Sequence, residues 1–277
     1  MAVGFVGLGN IGTPIAQRLV DRPEGLVVYD VRAEACQPFA EAGATVAASV
    51  GQLAAQCEVV SVMVRDDAQV REVIGELLPS CQPDTVVAIH STISEQTAID
   101  AAAEAEKHSV HVVDAPVTGG FIAAADGTLA VMVGGEAAAF ARCKDVFSAW
   151  ATLVLHSGPV GSGTRLKVAR ALLTFVGYAA ATESQRLAEA AGVDLGQLAS
   201  VVRHSDALTG GPVAIMVRNT TAPMAADDPL RPIFEHMYAL GSKDLALAIE
   251  LADQLGVDVP FSRLAAERLA PGVGLVG

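Results

Sequence analysis

Short apolar runs recur along the first part of the chain, and stretches of helical composition separate them. The apolar runs predict strands at residues 2–7, 25–29, 59–64, 85–90, 110–114, 130–134 and 152–156. The stretches between them predict helices at residues 11–21, 68–78, 95–107 and 136–150. Continuous apolar strands that alternate with helices are typical of a mostly parallel sheet covered on both faces.

The pattern changes after Pro159, where strand-like runs stop and Ala, Leu, Glu and Arg dominate. It predicts a long helix at residues 164–191, ended by Gly192 because glycine commonly closes a helix. Further helices are predicted at residues 195–204, 213–219, 233–255 and 263–269. We therefore expect an α/β domain over residues 1–160 and an all-α domain over residues 161–277.

The composition supports a large buried core. Hydrophobic residues make up 52% of the 277 residues and aromatic residues only 4%, so we expect a core of Ala, Val and Leu. The first residues lack the basic segment typical of a signal peptide. The cysteines are scattered without CxxC pairs and predict reduced thiols, a cytoplasmic location and no metal site: Cys36, Cys57, Cys81 and Cys143.

Charge and hydropathy limit the expected partners. The net charge of −13 argues against nucleic acid, because binding a phosphate backbone requires a basic face. No apolar run reaches the roughly 18 to 20 residues of a membrane span, so no membrane partner is expected. A small anionic substrate is compatible with this charge if cations are concentrated locally.

A glycine-rich segment directly follows the first predicted strand and opens the first predicted helix. It consists of Gly7-Leu8-Gly9-Asn10-Ile11-Gly12. In such a segment the first glycine permits a tight turn, the second lets the backbone approach a pyrophosphate, and the third lets helix and strand pack closely. A tight strand–helix turn without a ligand is the alternative, but the strand, the helix and the spacing together favour a dinucleotide site.

Asp30 closes the second predicted strand, 18 residues beyond Gly12. An acidic residue at this position can accept hydrogen bonds from the adenosine ribose and repel the extra phosphate of NADP. Val31 and Arg32 follow it, and Arg32 could either accommodate that phosphate or be a solvated surface charge. We predict NAD as the cofactor, with NADP as the alternative.

Other strand ends also carry candidate residues, because ligands bind beyond the carboxyl ends of the strands in open α/β sheets. The cofactor candidates there are Met63, Val64, Arg65 and Thr92. Thr118, Gly119 and Gly120 follow another strand, and exposed N–H groups in such a turn can bind a carboxylate. A plain Gly-Gly turn is the alternative for these three residues.

Together these segments resemble the β-hydroxyacid dehydrogenase family, which includes 3-hydroxyisobutyrate dehydrogenases, glyoxylate and succinic semialdehyde reductases, and 6-phosphogluconate dehydrogenases. Motifs in the order and spacing of that family cover nearly the whole chain. They are residues 7–12, residues 114–120 with 127–129 and 132–135, residues 161–163 with Lys167, and Lys243-Asp244-Leu245. The resemblance implies a Rossmann domain, an all-α domain, a substrate cleft between them, and homodimers or homotetramers formed through the helical domains.

The resemblance also implies roles for residues at matching positions. Lys167 matches the catalytic lysine of the family, and Asp244 matches an aspartate that lies near it. Thr118-Gly119-Gly120 matches the loop that binds the substrate carboxylate, with Thr in place of the usual Ser. Thr92 matches a hydroxyl residue beside the substrate and the nicotinamide, and Lys243 matches a residue beside the cofactor.

The chain departs from the family pattern beside the lysine. Relatives usually carry asparagines three and four residues after it, where this chain has Arg170 and Ala171. A usual lysine pKa of about 10.4 is too high for an efficient base at neutral pH. We therefore hypothesise that Arg170, at i+3 on the same helix face, holds the substrate carboxylate and lowers the pKa of Lys167. A solvated surface charge is the alternative for Arg170. Asp244 would oppose that shift and orient the lysine. His236 stands where relatives often carry a phenylalanine; it is interpreted as a packing residue, with a titrating group in the cleft as the alternative.

The leading interpretation is an NAD(P)-dependent oxidoreductase that interconverts a small β-hydroxy acid, of the 3-hydroxyisobutyrate type, and its semialdehyde. An imine reductase-like enzyme on the same scaffold is one alternative. Such relatives often replace the lysine, so Lys167 favours alcohol chemistry. A cofactor-binding protein without turnover is another alternative, favoured by the lost asparagines and opposed by Lys167 and Asp244.

Overall fold

The computed structural model describes residues 2–275, and the chain forms two compact units. One unit ends at Ala171 and the other begins at Leu172. Within the described residues, every strand lies in the first unit, and the second contains helices joined by loops. The predicted fold class, an α/β Rossmann domain followed by an all-α region, is therefore confirmed.

The strands of the described residues form one twisted, mostly parallel sheet. Their bounds are β1 Ala2–Val6, β2 Leu26–Tyr29, β3 Thr45–Val46, β4 Cys57–Val62, β5 Val86–Ile89, β6 His111–Asp114, β7 Val117–Thr118, β8 Leu129–Gly134 and β9 Ala151–Gly158. The order β3-β2-β1-β4-β5-β6 is parallel throughout. β8 then runs antiparallel to β6 and β7, and β9 pairs in parallel with β8. The strand order reverses between β1 and β4, which makes this point the expected ligand crevice.

Helices connect the strands and make up most of the second unit. Their bounds are α1 Gly12–Gln17, α2 Ala33–Glu41, α3 Val50–Ala54, α4 Asp67–Leu77, α5 Glu95–Glu106, α6 Gly120–Asp126, α7 Ala137–Ser148, α8 Ser162–Ala190, α9 Leu195–Thr209, α10 Arg231–Leu255 and α11 Pro260–Gly272. Two 3-10 helices, Leu78–Ser80 and Gly211–Val217, complete the helical elements of the described residues.

Several predicted elements differ from the structure in detail. The helix predicted at residues 11–21 ends at Gln17 and continues as turns, and the one predicted at residues 213–219 is the second 3-10 helix. The elements that the pattern missed are α2, α3, α6, β3 and β7. All except α2 have seven residues or fewer, which is too short to show a clear hydrophobic period. α2 contains Pro38, which disfavours a helix prediction.

Side chains of the sheet alternate between two buried clusters. Val59 belongs to the cluster that contains Trp150, whereas its neighbour Val60 belongs to the cluster that contains Leu53. Burial on both faces explains why the strands appear in the sequence as continuous apolar runs. Each fully buried Val or Leu contributes about 1.5–3 kcal/mol, so the packed sheet holds the strand ends that carry the candidate site residues.

The helical unit has a small buried cluster of its own, which contains Met224, Phe234 and Val273. Other large apolar side chains of this unit are exposed, among them Leu172 and Phe175 on α8. A core of this size buries little apolar surface, so the unit leaves much of its helix surface in contact with solvent within one chain.

Candidate cofactor and substrate site

The glycine segment between β1 and α1 adopts the backbone that its sequence predicts. Gly7 has a φ of +96°, and a Cβ there would collide with the carbonyl oxygen of Met63. A Cβ at Gly12 would collide with the carbonyl oxygen of Gly7, so α1 starts directly against the turn. Gly9 faces open space. The first and third glycines therefore close the turn, and the second leaves room for a ligand to approach the backbone.

A cavity of about 890 Å³ opens beside this turn, at the reversal of strand order between β1 and β4. Its volume lies within the usual range for small-molecule and cofactor sites. The predicted cofactor residues that line it are Gly7, Gly9, Asn10, Ile11, Gly12, Asp30, Val31, Arg32, Met63, Val64 and Arg65. Leu8 is buried behind the turn, while Thr92 and Lys243 lie outside the lining of this cavity.

One side of this cavity comes from α4, which sequence reasoning did not include in the site. The residues of α4 in the lining are Gln69, Glu72, Val73 and Glu76. Their spacing of three or four residues places them on one helix face. Tyr29 and Val50 also line the cavity. The helical period of α4, combined with its position after the end of β4, is the signal that could have identified this face.

Asp30 is held by two neighbours at the mouth of the cavity. Its carboxylate accepts hydrogen bonds from the Leu8 N–H at 2.7 Å, the Arg32 N–H at 2.9 Å and Arg32 Nε at 3.1 Å. Partial burial acts to raise the pKa of Asp30, but the hydrogen bonds from Arg32 and Leu8 outweigh it and lower the pKa. Arg32 also donates to the Leu8 carbonyl oxygen at 3.2 Å. The Arg32 guanidinium is thus hydrogen-bonded to both the Asp30 carboxylate and the Leu8 backbone.

Ser91 ties together the ends of β4 and β5. Its hydroxyl accepts from the Val64 N–H at 2.9 Å and donates to the Val64 carbonyl oxygen at 2.7 Å. Thr92 is the next residue, and its side chain is exposed. Ser91 therefore fixes the backbone from which the candidate hydroxyl of Thr92 projects.

The candidate carboxylate loop follows β7. Gly119 and Gly120 have φ values of +132° and +71°, which strongly favour glycine. Both glycines are exposed, and Thr118 before them is half-buried. Phe121 stands next in the chain with 61% of its surface exposed. The loop therefore presents backbone, a hydroxyl and an apolar ring at one surface of the first unit.

Lys167 reaches the same segment from α8. Its Nζ donates a hydrogen bond of 2.6 Å to the carbonyl oxygen of Val117, the residue before Thr118. The side chain is half-buried, and burial lowers its pKa, with a further decrease from the nearby charge of Arg170. Arg170 is exposed one turn further along the helix. The structure thus brings Lys167 and the predicted carboxylate loop together.

Asp114 connects the end of β6 to the beginning of α8, a role that sequence reasoning missed. Its carboxylate is buried and accepts hydrogen bonds from the backbone N–H groups of Gly161 at 2.7 Å and Thr164 at 2.6 Å. Burial raises the pKa of Asp114 against the opposing effect of these hydrogen bonds. An aspartate that ends a buried strand, followed about fifty residues later by a Gly-Ser-Gly helix start, carries no local signal of this contact.

The remaining predicted residues lie in the second unit. Asp244 and Lys243 are exposed on α10, where Lys243 Nζ lies 3.2 Å from Asp244 Oδ1. His236 on the same helix is exposed, whereas Met237 packs against the buried cluster. The interpretation of His236 as a packing residue is therefore wrong.

Burial disfavours the ionised form of the cysteine thiols. Burial raises the pKa of Cys57, Cys81 and Cys143 to about 12. No group of three or more His, Cys, Asp or Glu side chains among residues 2–275 is arranged to hold a metal ion. Over the same residues, no helix has both the length and the apolar character needed to cross a bilayer.

The parallel sheet, the glycine turn and the acidic residue at the end of β2 define a nicotinamide-dinucleotide-binding protein. Comparisons with known proteins agree. Residues 2–158 match the NAD binding domain of 6-phosphogluconate dehydrogenase, and residues 161–273 match a domain described as the NAD-binding domain of NADP-dependent 3-hydroxyisobutyrate dehydrogenase. The chain belongs to the β-hydroxyacid dehydrogenase family, which confirms the resemblance found in its motifs.

Similar proteins extend over the whole chain. An uncharacterised oxidoreductase of Mycobacterium tuberculosis is 55% identical over 99% of this chain and 93% of its own length. The crystal structure of an oxidoreductase from Mycobacterium avium 104 is 52% identical, covers 99% of both chains and has a TM-score of 0.94. A 3-hydroxyisobutyrate dehydrogenase of M. tuberculosis, solved with L-serine, is 31% identical over 97% of this chain and 92% of its own, with a TM-score of 0.70. The protein is thus an NAD(P)-dependent oxidoreductase of this family.

Proposed function

We propose that the protein interconverts a small β-hydroxy acid, of the 3-hydroxyisobutyrate type, and its semialdehyde, with Lys167 as general acid and base. The observation that carries this proposal is the hydrogen bond of 2.6 Å from Lys167 Nζ to Val117, directly beside the candidate carboxylate loop. The relative solved with L-serine supports the substrate class, because serine also carries its hydroxyl on the carbon β to the carboxylate.

Two features of its surroundings favour Lys167 as a base. Burial and the neighbouring charge of Arg170 lower its pKa, which increases the fraction of neutral amine. The neutral amine can donate one N–H to Val117 and keep its lone pair for the proton of the substrate hydroxyl. When bound, the nicotinamide ring supplies the hydride chemistry. In the reverse direction, protonated Lys167 returns the proton to the carbonyl oxygen.

The substrate carboxylate has several candidate partners in the first unit. The exposed backbone of Gly119 and Gly120 and the hydroxyl of Thr118 form one set. We propose that Arg170 adds a guanidinium, which can bind a carboxylate with two parallel hydrogen bonds. Thr92 is proposed to contact the substrate and the nicotinamide. In the second unit, Asp244 is proposed to orient the lysine and Lys243 to contact the cofactor.

The cavity favours NAD over NADP as the proposed cofactor. Glu72 and Glu76 add acidic groups to the lining of the same cavity as Asp30, and their negative charge disfavours an extra phosphate there. The cation closest in sequence to Asp30, Arg32, already binds that carboxylate and the Leu8 carbonyl oxygen. Arg65 also lines the cavity and is a further candidate to hold the phosphate if NADP were used.

A cofactor-binding protein without turnover is the second candidate. Arg170 and Ala171 stand where the family usually carries asparagines, and this departure favours it. The presence of Lys167 and Asp244 favours turnover over this candidate, and Lys167 also favours alcohol chemistry over an imine reductase-like enzyme, because such relatives often replace the lysine.

A substrate panel distinguishes these functions. β-Hydroxy acids and semialdehydes are tested with NAD(H) and with NADP(H), and absorbance of the reduced nicotinamide is followed. We expect turnover with a β-hydroxy acid and a higher kcat/KM with NAD. Cofactor binding without turnover across the panel would favour the second candidate.

Replacing the lysine tests its role. Lys167→Ala should lower kcat by roughly 100- to 10,000-fold, because that is the usual contribution of general acid–base catalysis. Lys144→Ala removes an exposed lysine from α7 and is the matched control, expected to keep wild-type turnover. Turnover of Lys167→Ala within about tenfold of the wild type would show that Lys167 is not the base.

A further inference from the structure

The carboxylate of Asp114 lies between the sheet and the start of α8. Oδ1 accepts a hydrogen bond from the Gly161 N–H at 2.7 Å, and Oδ2 accepts one from the Thr164 N–H at 2.6 Å. Both are among the backbone N–H groups that a helix start leaves without helical partners. Asp114 is 1% exposed, so its carboxylate is buried inside the first unit.

Two glycines leave the space that this arrangement needs. A Cβ at Gly134 would collide with Asp114 Oδ1, and a Cβ at Gly163 would lie 2.7 Å from the Asp114 carbonyl oxygen. The first turn of α8 therefore packs directly against the ends of β6 and β8, with backbone against backbone. Such close contact allows little freedom in the position of the helix start.

The same two segments meet again three residues further along. Val117 follows Asp114 by three residues, and Lys167 follows Thr164 by three residues. The second contact is the hydrogen bond from Lys167 Nζ to the Val117 carbonyl oxygen at 2.6 Å. The Asp114–Thr164 and Val117–Lys167 contacts thus close a ring through the β6–β7 connection and the first turns of α8.

We propose that Asp114 is the positioning residue of Lys167: it fixes the beginning of α8 so that Nζ reaches the Val117 carbonyl oxygen. The proposal rests on the proposed function in one respect, namely that Lys167 is the general acid and base. Asp114 touches neither substrate nor cofactor in this role, because both of its oxygens are turned to the backbone of α8. Its effect on the reaction is transmitted through the helix.

Positioning and a simple charge effect predict opposite changes in the pKa of Lys167 when the Asp114 carboxylate is removed. In Asp114→Asn the amide group presents N–H to one of the two backbone N–H donors, so one hydrogen bond is replaced by a repulsive contact. If α8 then shifts, Lys167 Nζ leaves its half-buried place at Val117 and its pKa rises. If Asp114 acted only through its charge, removing that charge would lower the pKa of Lys167. The direction of the change therefore tests the proposal.

The experiment is an NMR titration of the lysine Cε signals of the full-length protein, produced with ¹³C-labelled lysine so that every Nζ keeps its hydrogens. The chain contains four lysines, Lys107, Lys144, Lys167 and Lys243, and the Lys167 signal is assigned by its absence in Lys167→Arg. We expect the Lys167 midpoint of Asp114→Asn to lie above that of the wild type. We expect kcat to fall roughly 100-fold, as for other small displacements of a catalytic group, with little change in the Kd for NADH.

Glu183→Gln is the matched control. The Glu183 carboxylate is also buried and accepts hydrogen bonds from two backbone N–H groups at a helix start. The helix that starts there is α11, not α8. The Lys167 midpoint should not move in this variant. An equal shift of the Lys167 midpoint in Glu183→Gln would show that general loosening of the protein causes the shift, and it would overturn the proposal.

A second variant covers the case in which Asp114→Asn does not fold. Gly134→Ala keeps the charge of Asp114 but displaces its carboxylate, because a Cβ at Gly134 would collide with Asp114 Oδ1. It should also raise the Lys167 midpoint. A midpoint that stays at or falls below the wild-type value in the folded variants overturns the proposal.

The titration needs no substrate, so it separates this proposal from the proposed function. A raised Lys167 midpoint in a protein that oxidises no hydroxy acid would support positioning and contradict the dehydrogenase function. A loss of kcat with an unchanged midpoint would leave the dehydrogenase function standing and overturn positioning.

Discussion

His90 is a fully buried polar side chain at the end of β5, and sequence reasoning did not single it out. Its Nδ1 donates to the Ala115 carbonyl oxygen at 2.8 Å, and its Nε2 accepts from the Ser61 hydroxyl at 3.0 Å. The rings of Phe147 and Trp150 meet it edge to face. Burial lowers its pKa to about 4, against a smaller opposing effect of the Ala115 hydrogen bond. His90 is therefore neutral in the folded protein at physiological pH.

This histidine predicts a pH-dependent loss of stability. The unfolded chain takes up a proton near pH 6.5, whereas the folded protein does so only near pH 4. The stabilising effect of a neutral His90 is thus complete above about pH 6.5 and is lost as the pH falls towards 4. From pH 7 to pH 5 the free energy of unfolding should fall by about 2 kcal/mol more in the wild type than in His90→Gln. Urea denaturation at both pH values measures the difference, and equal losses in the two proteins would contradict the assignment.

At the scale of single residues, the sequence predicted most of the cavity and little of what supports it. The glycine turn, Asp30 and Arg65 are local in sequence, because a strand, a turn and a helix start bring them together. The contact of Asp114 with Thr164 joins residues 50 positions apart. That contact depends on the order of the strands and on the packing of α8, and neither can be inferred from hydrophobic periodicity.

Among the elements, α11 shows how a helix in a small core is stabilised. Glu183 of α8 accepts hydrogen bonds from the N–H groups of Phe261 at 2.7 Å and Ser262 at 2.9 Å, and from the Ser262 hydroxyl at 2.8 Å. Burial acts to raise the pKa of Glu183, but these hydrogen bonds outweigh it and lower the pKa. A negative charge at this end of α11 also complements the helix dipole.

Loss of this carboxylate should destabilise the helical unit. Glu183→Gln should lower the free energy of unfolding by about 1–3 kcal/mol, because an amide cannot accept all three hydrogen bonds. Glu267→Gln, an exposed position on α11, is the control and should stay within about 0.5 kcal/mol of the wild type. Chemical denaturation followed by circular dichroism gives both values. Equal stability of Glu183→Gln and Glu267→Gln would show that the contact contributes nothing.

The longest helix and the continuous apolar strands were predicted well, whereas the two-residue strands were not. The predicted helix at residues 164–191 corresponds to α8, and the predicted strand at residues 110–114 corresponds to β6. β7 has two residues, and its existence depends on pairing with β8. Since β7 carries Val117 and Thr118, the least predictable strand is also the one that places the candidate carboxylate loop.

At the scale of the whole molecule, the helical unit exposes apolar surface of the kind that a binding partner buries. Leu172 and Phe175 on α8 are each 67% exposed, and Val201 on α9 is also 67% exposed. Apolar patches of this kind on a soluble chain typically mark association surfaces. We propose a second copy of the chain as that partner, in a homodimer or homotetramer, as in the family. A net charge of −13 favours solubility of such an assembly.

The oligomeric state tests this assignment. Light scattering after gel filtration should give two or four times the chain mass of 28.3 kDa for the wild type. Phe175→Glu should shift the protein to a smaller species, because burying an unpaired carboxylate at an interface is costly. Val46→Glu places the same charge at an exposed apolar position of the first unit and should not change the mass. A monomeric wild type would contradict the proposal.

The buried thiols have a practical consequence for labelling chemistry. A thiol whose pKa burial raises to about 12, as in Cys57, Cys81 and Cys143, is almost entirely protonated at pH 7. Burial also raises the pKa of Cys36. A cysteine introduced at an exposed position such as His236 would be ionised to a few per cent at the same pH and would react first with a maleimide. A fluorophore can therefore be attached at one chosen place while every native cysteine is kept.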